Sequence, residues 1–566
     1  MPHATDVVPA PASLHEGGGE VVLPDGARVA ADPGMRPAAR WWRRASEDAF
    51  GVDLVPAEPG GAADVTFVRD PAVPVGGYRL TVADRGGHAL VHVAATDGAG
   101  ALAGAQTLRQ LAGPQAFRRA GSAPLALPVV TVEDGPRFGW RGVLLDVARH
   151  FLPKADVLRF VDLAAAHHLN VLQLHLTDDQ GWRIEVQRYP RLTQAGSWRR
   201  ESGVGTWRAE RYDGRPHGGY YTRDDLREIV AYARERGVTV VPEIGSPGHV
   251  QALLTAYPEL AARPGAHEVR TTWGISEDVI DPSPAAVDFF AGVLDEVCDV
   301  FDSPFVALGG DEVPTTAWRE RPDIVARAAA LGLVGPDGEG DVTRLHGWFL
   351  SRLADHLRSK GRRAVVWDEA FGPDLPRDVV VTCWRGHTVA ADALAAGHDV
   401  VMAPEQEVYL DHRAAEGDDE PVPVGFARTV DDVRAFEPLP AGLLAVRPEL
   451  AADLPGTLLG AQAQVWSEHL DSVRRLDYAA FPRLVAFAEA VWNPAASGFD
   501  RRLREAHLAR LDAAGVEYRP LDGPRPWQRR PGVAGYPRDL AAERATAGWA
   551  GMGGWVEGRD GAEPGE

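Results

Sequence analysis

Cysteine is scarce in this chain of 566 residues, which contains only Cys298 and Cys383. Two cysteines so far apart cannot build a disulfide framework or a zinc cluster, because both need several ligating residues at short spacings. Long apolar runs are also missing, and none reaches the roughly 18 residues that a membrane-spanning helix requires. The sequence therefore excludes a disulfide scaffold and predicts no association with a membrane.

The chain also has fewer basic than acidic residues. Lys and Arg number 59 against 80 Asp and Glu, which gives a net charge of −21. A phosphate backbone attracts basic surfaces, so this balance argues against a nucleic-acid partner and favours a neutral substrate. Residues 1–20 show no cationic stretch followed by an apolar segment, the pattern of a secretory signal. We expect a cytoplasmic location and leave secretion open.

The length predicts more than one domain. Residues 1–19 are rich in Pro, Ala and Gly without periodicity, and we predict that they are disordered. Residues 20–134 contain segments of alternating apolar and polar residues, at 63–70, 76–84 and 88–95, together with two helical patterns. These features predict a small α+β domain with half-buried antiparallel strands. We assign no role to the Gly- and Pro-rich tail, residues 521–566.

Residues 135–520 show a different pattern, in which short apolar strands alternate with helices. This alternation is typical of parallel βα units, and eight of them predict a closed (β/α)8 TIM barrel. The predicted strands are Gly142–Val147, Asn170–Leu176, Val238–Glu243, Phe305–Leu308, Ala364–Trp367, Val379–Trp384, Asp399–Met402 and Gly460–Trp466. The predicted fold class is thus α/β, a TIM barrel preceded by a small α+β domain.

Carboxylates, arginines and aromatic residues follow these strands. In such barrels the chemistry is found at the C-terminal ends of the strands, so these side chains are expected to share one mouth. Carboxylates and Arg bind hydroxyl groups, and Trp and Tyr pack against the apolar face of a sugar ring. The combination predicts a carbohydrate site.

Simpler roles compete with this interpretation. A single Trp often belongs to the core, and Asp178 or Asp179 could cap a helix. Asp311 and Glu312 could instead belong to a buried structural ion pair with a cationic side chain. Two adjacent acids in an apolar, glycine-flanked setting repel each other, however, which raises the pKa of one and favours a proton donor.

Six segments, in this order, resemble one enzyme family. They are "RGVLLDVARHFLP", "LNVLQLHLTDDQGWRIE", "VPEIGSPGHV", "ALGGDEV", "VVWDEA" and "AQVWSEH". Over residues 141–493 the chain resembles the family-20 glycoside hydrolases, the β-N-acetylhexosaminidases. The preceding α+β segment is similar to the small domain of those enzymes. The resemblance implies a retaining exo-enzyme that removes terminal N-acetylhexosamine by substrate-assisted catalysis, without a cofactor or metal.

The resemblance also implies residue roles. Glu312 would be the general acid/base, and Asp311 would orient the acetamido group of the sugar, whose carbonyl oxygen attacks carbon 1. Asp178 and His249 would hold and tune Glu312. The remaining implied substrate-binding residues are Arg149, Asp411 and Glu468 for the hydroxyl groups, Trp367, Trp384 and Trp466 for the acetamido methyl, and Tyr409 for its carbonyl.

One departure from the family pattern stands beside these residues. Gly245 and Ser246 occupy the place where the family usually has an acid after "PEI". We therefore expect the surroundings of His249 to differ.

Two functions of other classes remain as alternatives. A metal-dependent barrel hydrolase often has His-x-His at a strand end, but here Gln173 stands where the first His would be. A carbohydrate-binding barrel that has lost catalysis need not keep Glu312. A chromogenic N-acetylglucosaminide assay with a chelator control distinguishes all three.

Overall fold

The computed structural model describes residues 6–57, 61–452 and 454–547, which form an N-terminal domain and a barrel. The N-terminal domain is a seven-stranded sheet in the order β1-β7-β5-β6-β4-β2-β3. Its strands are β1 (Ser13–Leu23), β2 (Ala27–Ala31), β3 (Leu54–Pro56), β4 (Val65–Arg69), β5 (Tyr78–Asp84), β6 (Ala89–Ala95) and β7 (Leu125–Asp134). The helices α1 (Arg36–Phe50) and α2 (Gly98–Leu111) pack against it.

The predicted α+β character is therefore found, but the predicted antiparallel pairing is only partly right. β5 pairs antiparallel with β6 and with β7, whereas β4 runs parallel to β6 and to β2. Alternation at period 2 reports which face of a strand is buried, and it carries no information on the direction of the neighbouring strand.

The prediction of disorder for residues 1–19 is wrong over residues 6–19, while residues 1–5 lie outside the described residues. Val8 is fully buried, and its N–H donates to Gln110 Oε1 at 2.9 Å. Strand β1 pairs with β7 and contains a bulge between Glu16 and Glu20. The glycines of this bulge hide the strand in the sequence, because they remove the apolar alternation that marks strands elsewhere.

The second domain is a closed barrel of eight parallel strands, as predicted. The strands are β8 (Trp140–Asp146), β9 (Val171–His175), β14 (Thr239–Glu243), β15 (Phe305–Ala307), β16 (Arg363–Trp367), β17 (Val380–Cys383), β18 (Val400–Met402) and β20 (Leu458–Val465). Each predicted strand coincides with one of these to within a few residues. β8 pairs with both β9 and β20, which closes the barrel.

Helices cover the outside of the barrel, and the strands are buried on both faces. The helices are α3 (Lys154–Ala166), α4 (Arg191–Gly196), α5 (Arg223–Arg234), α6 (Gln251–Ala256), α7 (Pro284–Val300), α8 (Thr316–Arg319), α9 (Pro322–Ala330), α10 (Arg344–Ser359), α11 (His387–Ala396), α12 (Glu405–Val408), α13 (Val430–Arg434), α14 (Ala441–Val446), α15 (Val473–Ala480), α16 (Arg483–Trp492), α17 (Phe499–Arg502), α18 (Leu508–Ala513) and α19 (Leu540–Ala547). None of these described helices is both long and apolar enough to cross a membrane.

Three two-stranded pairs lie outside the main sheets. They are β10 (Thr177–Asp178) with β11 (Gly181–Trp182), β12 (Trp198–Arg199) with β13 (His217–Gly218), and β19 (Val424–Gly425) with β21 (Tyr536–Pro537). The last pair joins the tail to the loop after β18. Residues 521–547 therefore return to the mouth of the barrel, which the sequence does not predict.

Candidate active site

Two adjacent carboxylates enter the mouth of the barrel directly after β15. Gly309 and Gly310 have φ values of 72° and 90°, which only glycine adopts readily. A Cβ atom at Gly310 would lie 2.7 Å from Leu350 Cδ1, so the buried side chain of Leu350 would have to shift. The turn that they make directs both Asp311 and Glu312 into the site. Glu312 itself has a φ of 48°, a strained value typical of functional positions.

His249 connects the acids of two different strands. Its Nε2 lies 3.2 Å from Glu312 Oε2 and 3.6 Å from Asp311 Oδ2. On the other side of the ring, Nδ1 lies 3.3 Å from Asp179 Oδ2 and 3.5 Å from Asp178 Oδ1. Although burial disfavours the imidazolium, Asp178 and Asp311 hold the pKa of His249 well above its usual value. The ring is therefore a cation that attracts both acids after β15.

A chain of buried charges extends from this histidine below the site. Asp178 Oδ2 lies 2.9 Å from Arg149 Nη2 and 2.8 Å from His175 Nε2. The other nitrogen of His175, Nδ1, lies 2.8 Å from Glu243 Oε2. Burial opposes this charge, but Glu243 and Asp178 raise the pKa of His175 to about 10. Each ion has a partner of opposite sign, as buried charges require.

One acid of the predicted pair has a raised pKa. Burial raises the pKa of Asp311 to about 6, against the opposing effect of His249, and the charges of Glu243 and Glu312 raise it further. The sequence predicts a raised pKa from repulsion between neighbours. The structure assigns it to Asp311 and makes burial, rather than repulsion, the main cause.

Aromatic side chains form one wall of the site. Trp367, Trp384, Tyr409 and Trp466 belong to one buried cluster at the ends of the strands. The rings of Trp367 and Trp466 are 5.9 Å apart, and those of Trp384 and Tyr409 are 6.4 Å apart. Trp367 Nε1 donates to Glu243 Oε1 at 2.9 Å, and Trp384 Nε1 donates to Glu369 Oε2 at 2.8 Å. These bonds fix the ring planes, so the wall is preformed.

Beside the aromatic wall, the site is polar. Arg149 lies over the ring of Trp466 at 5.0 Å, and its Nη1 lies 3.8 Å from Glu468 Oε1. Burial raises the pKa of Glu468 to about 7 against the opposing charge of Arg149, and burial also raises the pKa of Asp411 to about 7. The Oδ1 atom of Asp411 is buried without a hydrogen-bond partner among the described residues. An acceptor in this state indicates a place for a ligand donor.

The structure thus brings together every predicted site residue, and it adds partners that the sequence did not suggest. Asp179 contacts His249 as closely as Asp178 does, and the buried residues His175 and Glu243 extend the ion chain. Glu369 accepts the backbone N–H of Glu312 at 3.4 Å. All four lie in the quoted segments, but a segment does not reveal which side chains meet across strands. The sequence offered one signal for them: they share these segments with the predicted site residues.

Gly245 and Ser246 supply no carboxylate to His249. The N–H of Gly245 donates to Thr177 Oγ1 at 2.9 Å, and Ser246 bonds the backbone of Leu308. The carboxylates near His249 Nδ1 are those of Asp178 and Asp179, which follow β9.

Asp178, Asp179 and His249 also lie close enough together, within 4.8 Å, to be considered as metal ligands. Their ligand atoms already have partners. Asp178 Oδ2 contacts two cationic side chains, and Asp179 Oδ1 accepts the Gln251 N–H at 3.0 Å. A divalent cation here would meet the charge of Arg149 at short range. The absence of a metal remains our prediction.

Comparison with known proteins agrees with this geometry. Residues 138–495 match the family described as "Glycosyl hydrolase family 20, catalytic domain", and residues 4–135 match "Glycosyl hydrolase family 20, domain 2". A beta-hexosaminidase of Porphyromonas gingivalis is 36% identical over 91% of this chain, which spans 64% of the length of that protein. A beta-hexosaminidase of Akkermansia muciniphila is 37% identical over 75% of this chain and 80% of that protein.

A solved structure gives the same result for the fold. The GH20 exo beta-N-acetylglucosaminidase of Vibrio harveyi, solved in complex with N-acetylglucosamine, is 29% identical. It has a TM-score of 0.76, and the match covers 92% of this chain and 79% of that one. The predicted TIM barrel and the predicted family are both confirmed. The chain belongs to glycoside hydrolase family 20 and is a glycoside hydrolase enzyme.

Proposed function

We propose that the protein is a retaining exo-β-N-acetylhexosaminidase. It removes terminal non-reducing N-acetylglucosamine or N-acetylgalactosamine through an oxazolinium intermediate. The names of the similar proteins support the activity, and the N-acetylglucosamine in the V. harveyi structure supports the sugar class. The observation that carries the proposal is the pair Asp311 and Glu312, both within 3.6 Å of His249, facing a wall of tryptophans.

In the first step, Glu312 donates its proton to the glycosidic oxygen as the bond to carbon 1 breaks. The carbonyl oxygen of the 2-acetamido group forms the new bond to carbon 1, so no protein nucleophile is needed. Asp311 accepts the acetamido N–H, and its negative charge stabilises the oxazolinium cation. In the second step, Glu312 takes a proton from water as that water attacks carbon 1 and the bond from carbon 1 to the acetamido oxygen breaks. This step restores the acid and the acetamido group and retains the configuration.

The aromatic wall supplies the reason that an acetamido group is preferred. We assign the acetamido methyl to the buried cluster of Trp367, Trp384 and Trp466, and we assign the Tyr409 hydroxyl as the donor to the acetamido carbonyl. This geometry holds the carbonyl oxygen near carbon 1 before the bond breaks. A substrate with a 2-hydroxyl group in place of the acetamido group makes neither of these contacts.

Hydrolysis of 4-nitrophenyl N-acetyl-β-D-glucosaminide and of the corresponding galactosaminide tests the proposal. Both should release nitrophenol, and a chelator should leave the rates unchanged. Binding of N-acetylglucosamine without turnover would identify a carbohydrate-binding barrel instead. Loss of activity with the chelator, restored by a divalent metal, would identify a metal-dependent hydrolase.

The rate should depend on the ionisation of Asp311. This residue has a pKa of about 6, so it loses its negative charge as the pH falls below that value. The neutral acid cannot stabilise a cation, and kcat/KM should decline below about pH 6, since kcat/KM reports pKa values of the free enzyme. In Asp311→Asn, kcat/KM should be lower than in the wild type and should show no decline below about pH 6. If the decline persists in the variant, another carboxylate such as Glu468 controls it.

Arg149→Lys should not be a mild change. The guanidinium contacts Asp178 and lies near Glu468, and its planar fork can hold two sugar hydroxyls in register. A lysine offers one point charge, so binding of the transition state should weaken by about 1 to 3 kcal/mol, and kcat/KM should fall accordingly. The matched control is Arg474→Lys, whose side chain is 62% exposed and pairs with Glu517. Wild-type kinetics in Arg149→Lys would remove Arg149 from the site.

A further inference from the structure

The C-terminal segment, residues 524–540, lies across the mouth of the barrel. Near its start, Arg530 pairs with Asp471 at 2.9 Å, which fixes the segment to the loop after β20. Further along, the carbonyl of Ala534 accepts the N–H of Thr206, in the loop between β12 and β13, at 2.9 Å. The segment then pairs with β19 through β21. It therefore connects three loops that surround the site.

Tyr536 is the residue of this segment that faces the polar side of the site. Its ring contacts that of His469, next to Glu468, with 6.0 Å between the ring centroids. Burial, together with the charges of Glu468 and Asp411, raises the pKa of the Tyr536 phenol well above its usual value. The side chain is nevertheless 43% exposed. A side chain that is surrounded by protein atoms and still open to solvent lies on the wall of a cleft.

A second contact fixes the position of this tyrosine. Arg538, two residues further on, donates from Nη1 to Glu405 Oε1 at 2.6 Å, and Glu405 lies 3.4 Å from His412 Nε2. The backbone N–H of Arg538 donates to the Gly425 carbonyl at 2.8 Å. Glu405 and His412 flank Tyr409 and Asp411 in the sequence. The segment is thus anchored to the same loop that carries two residues of the site.

We propose that Tyr536 is a substrate-binding residue that donates its phenol hydrogen to the 4- or 6-hydroxyl of the terminal sugar. This inference rests on the proposed function and adds a residue to it. Asp411 and Glu468 offer acceptors on this side, including the unpartnered Oδ1 of Asp411. A sugar hydroxyl that donates to one of these carboxylates keeps its lone pairs free, and a phenol beside them can donate to it. The C-terminal segment thereby completes the hydroxyl side of the pocket.

Tyr536→Phe tests the hydroxyl alone, because phenylalanine keeps the contact with His469. We expect kcat/KM for 4-nitrophenyl N-acetyl-β-D-glucosaminide to fall about 10-fold, the effect of one lost hydrogen bond. The same comparison is made with the 4-deoxy and 6-deoxy analogues. For one of these analogues, the Tyr536→Phe substitution should lower kcat/KM by less than about 2-fold, because that analogue already lacks the hydroxyl that Tyr536 binds. Tyr220→Phe is the matched control, since Tyr220 is also 43% exposed, and it should match the wild type.

Other results would overturn the inference. An unchanged kcat/KM in Tyr536→Phe, or equal losses for the parent and both analogues, would mean that the phenol does not bind a sugar hydroxyl. Titration of N-acetylglucosamine, followed by tryptophan fluorescence, measures the same contact without turnover and should show Kd rising by a similar factor. If the wild type lacks hydrolytic activity, the proposed function fails, and this titration still decides the role of Tyr536.

Discussion

Glu312→Gln should lower kcat by about 10² to 10⁴, the usual contribution of a positioned general acid/base, and should leave substrate binding nearly unchanged. Glutamine has the same shape but cannot transfer a proton. The contact of 3.2 Å with His249 Nε2 can be kept by the amide oxygen, so the site should keep its structure. The measurement is steady-state kinetics with aryl N-acetylglucosaminides whose leaving groups differ in pKa.

The leaving group separates this role from a structural one. A phenol with a low pKa departs without protonation, so the variant should lose least with such substrates and most with poor leaving groups. Glu320→Gln is the matched control, since Glu320 is 59% exposed in its side chain and pairs with Arg263 outside the site. Equal losses across all leaving groups would assign Glu312 another role.

The second large effect should come from the substrate. If the acetamido oxygen attacks carbon 1, then replacing the hydrogens of the acetamido methyl group by fluorine withdraws electrons from that oxygen. The rate should fall steeply with each fluorine while binding changes little, and a plain β-glucoside should be a very poor substrate. In the protein, Asp311→Asn removes the negative charge that faces the cation, and kcat should fall about 10² to 10³.

Two measurements check this mechanism. NMR of the first product should show retained configuration. A thiazoline that mimics the cyclic intermediate should inhibit the wild type strongly, because the site is complementary to that state, and should inhibit Asp311→Asn much less. Inverted product, or rates that do not respond to fluorination, would require a second carboxylate such as Asp178 to act as base or nucleophile.

The barrel could be predicted from the sequence because its strands are buried on both faces. Segments such as Val238–Glu243 are short and apolar, and helices with a clear apolar side separate them, so both length and order identify parallel βα units. The first strand of the N-terminal sheet could not be predicted in this way. Its bulge at Glu16–Glu20 and its glycines leave no periodic pattern, and only pairing with β7 makes it a strand.

The site residues were predictable where a strand end presents them in a recognisable segment. The connections between them were not, because they depend on side chains from different strands. The contact of His175 with Glu243 joins residues 68 positions apart, and no local pattern encodes it. The position of Tyr536 was still harder to predict from the sequence. This residue lies in a Gly- and Pro-rich segment, and long-range contacts such as the pairing of β19 with β21 bring it to the site.

The buried segment formed by residues 6–10 has a consequence for folding during synthesis. The carbonyls of Asp6 and Val7 accept hydrogen bonds from Arg510 and Arg502, and the N–H of Ala10 donates to Glu489. Val7 and Arg502 are 495 residues apart. At 5 to 20 residues per second, the ribosome needs about 25 to 100 s to supply these partners. During this time residues 6–10 lack these partners, so the docking of this segment against the helices that carry them is completed only after those helices emerge.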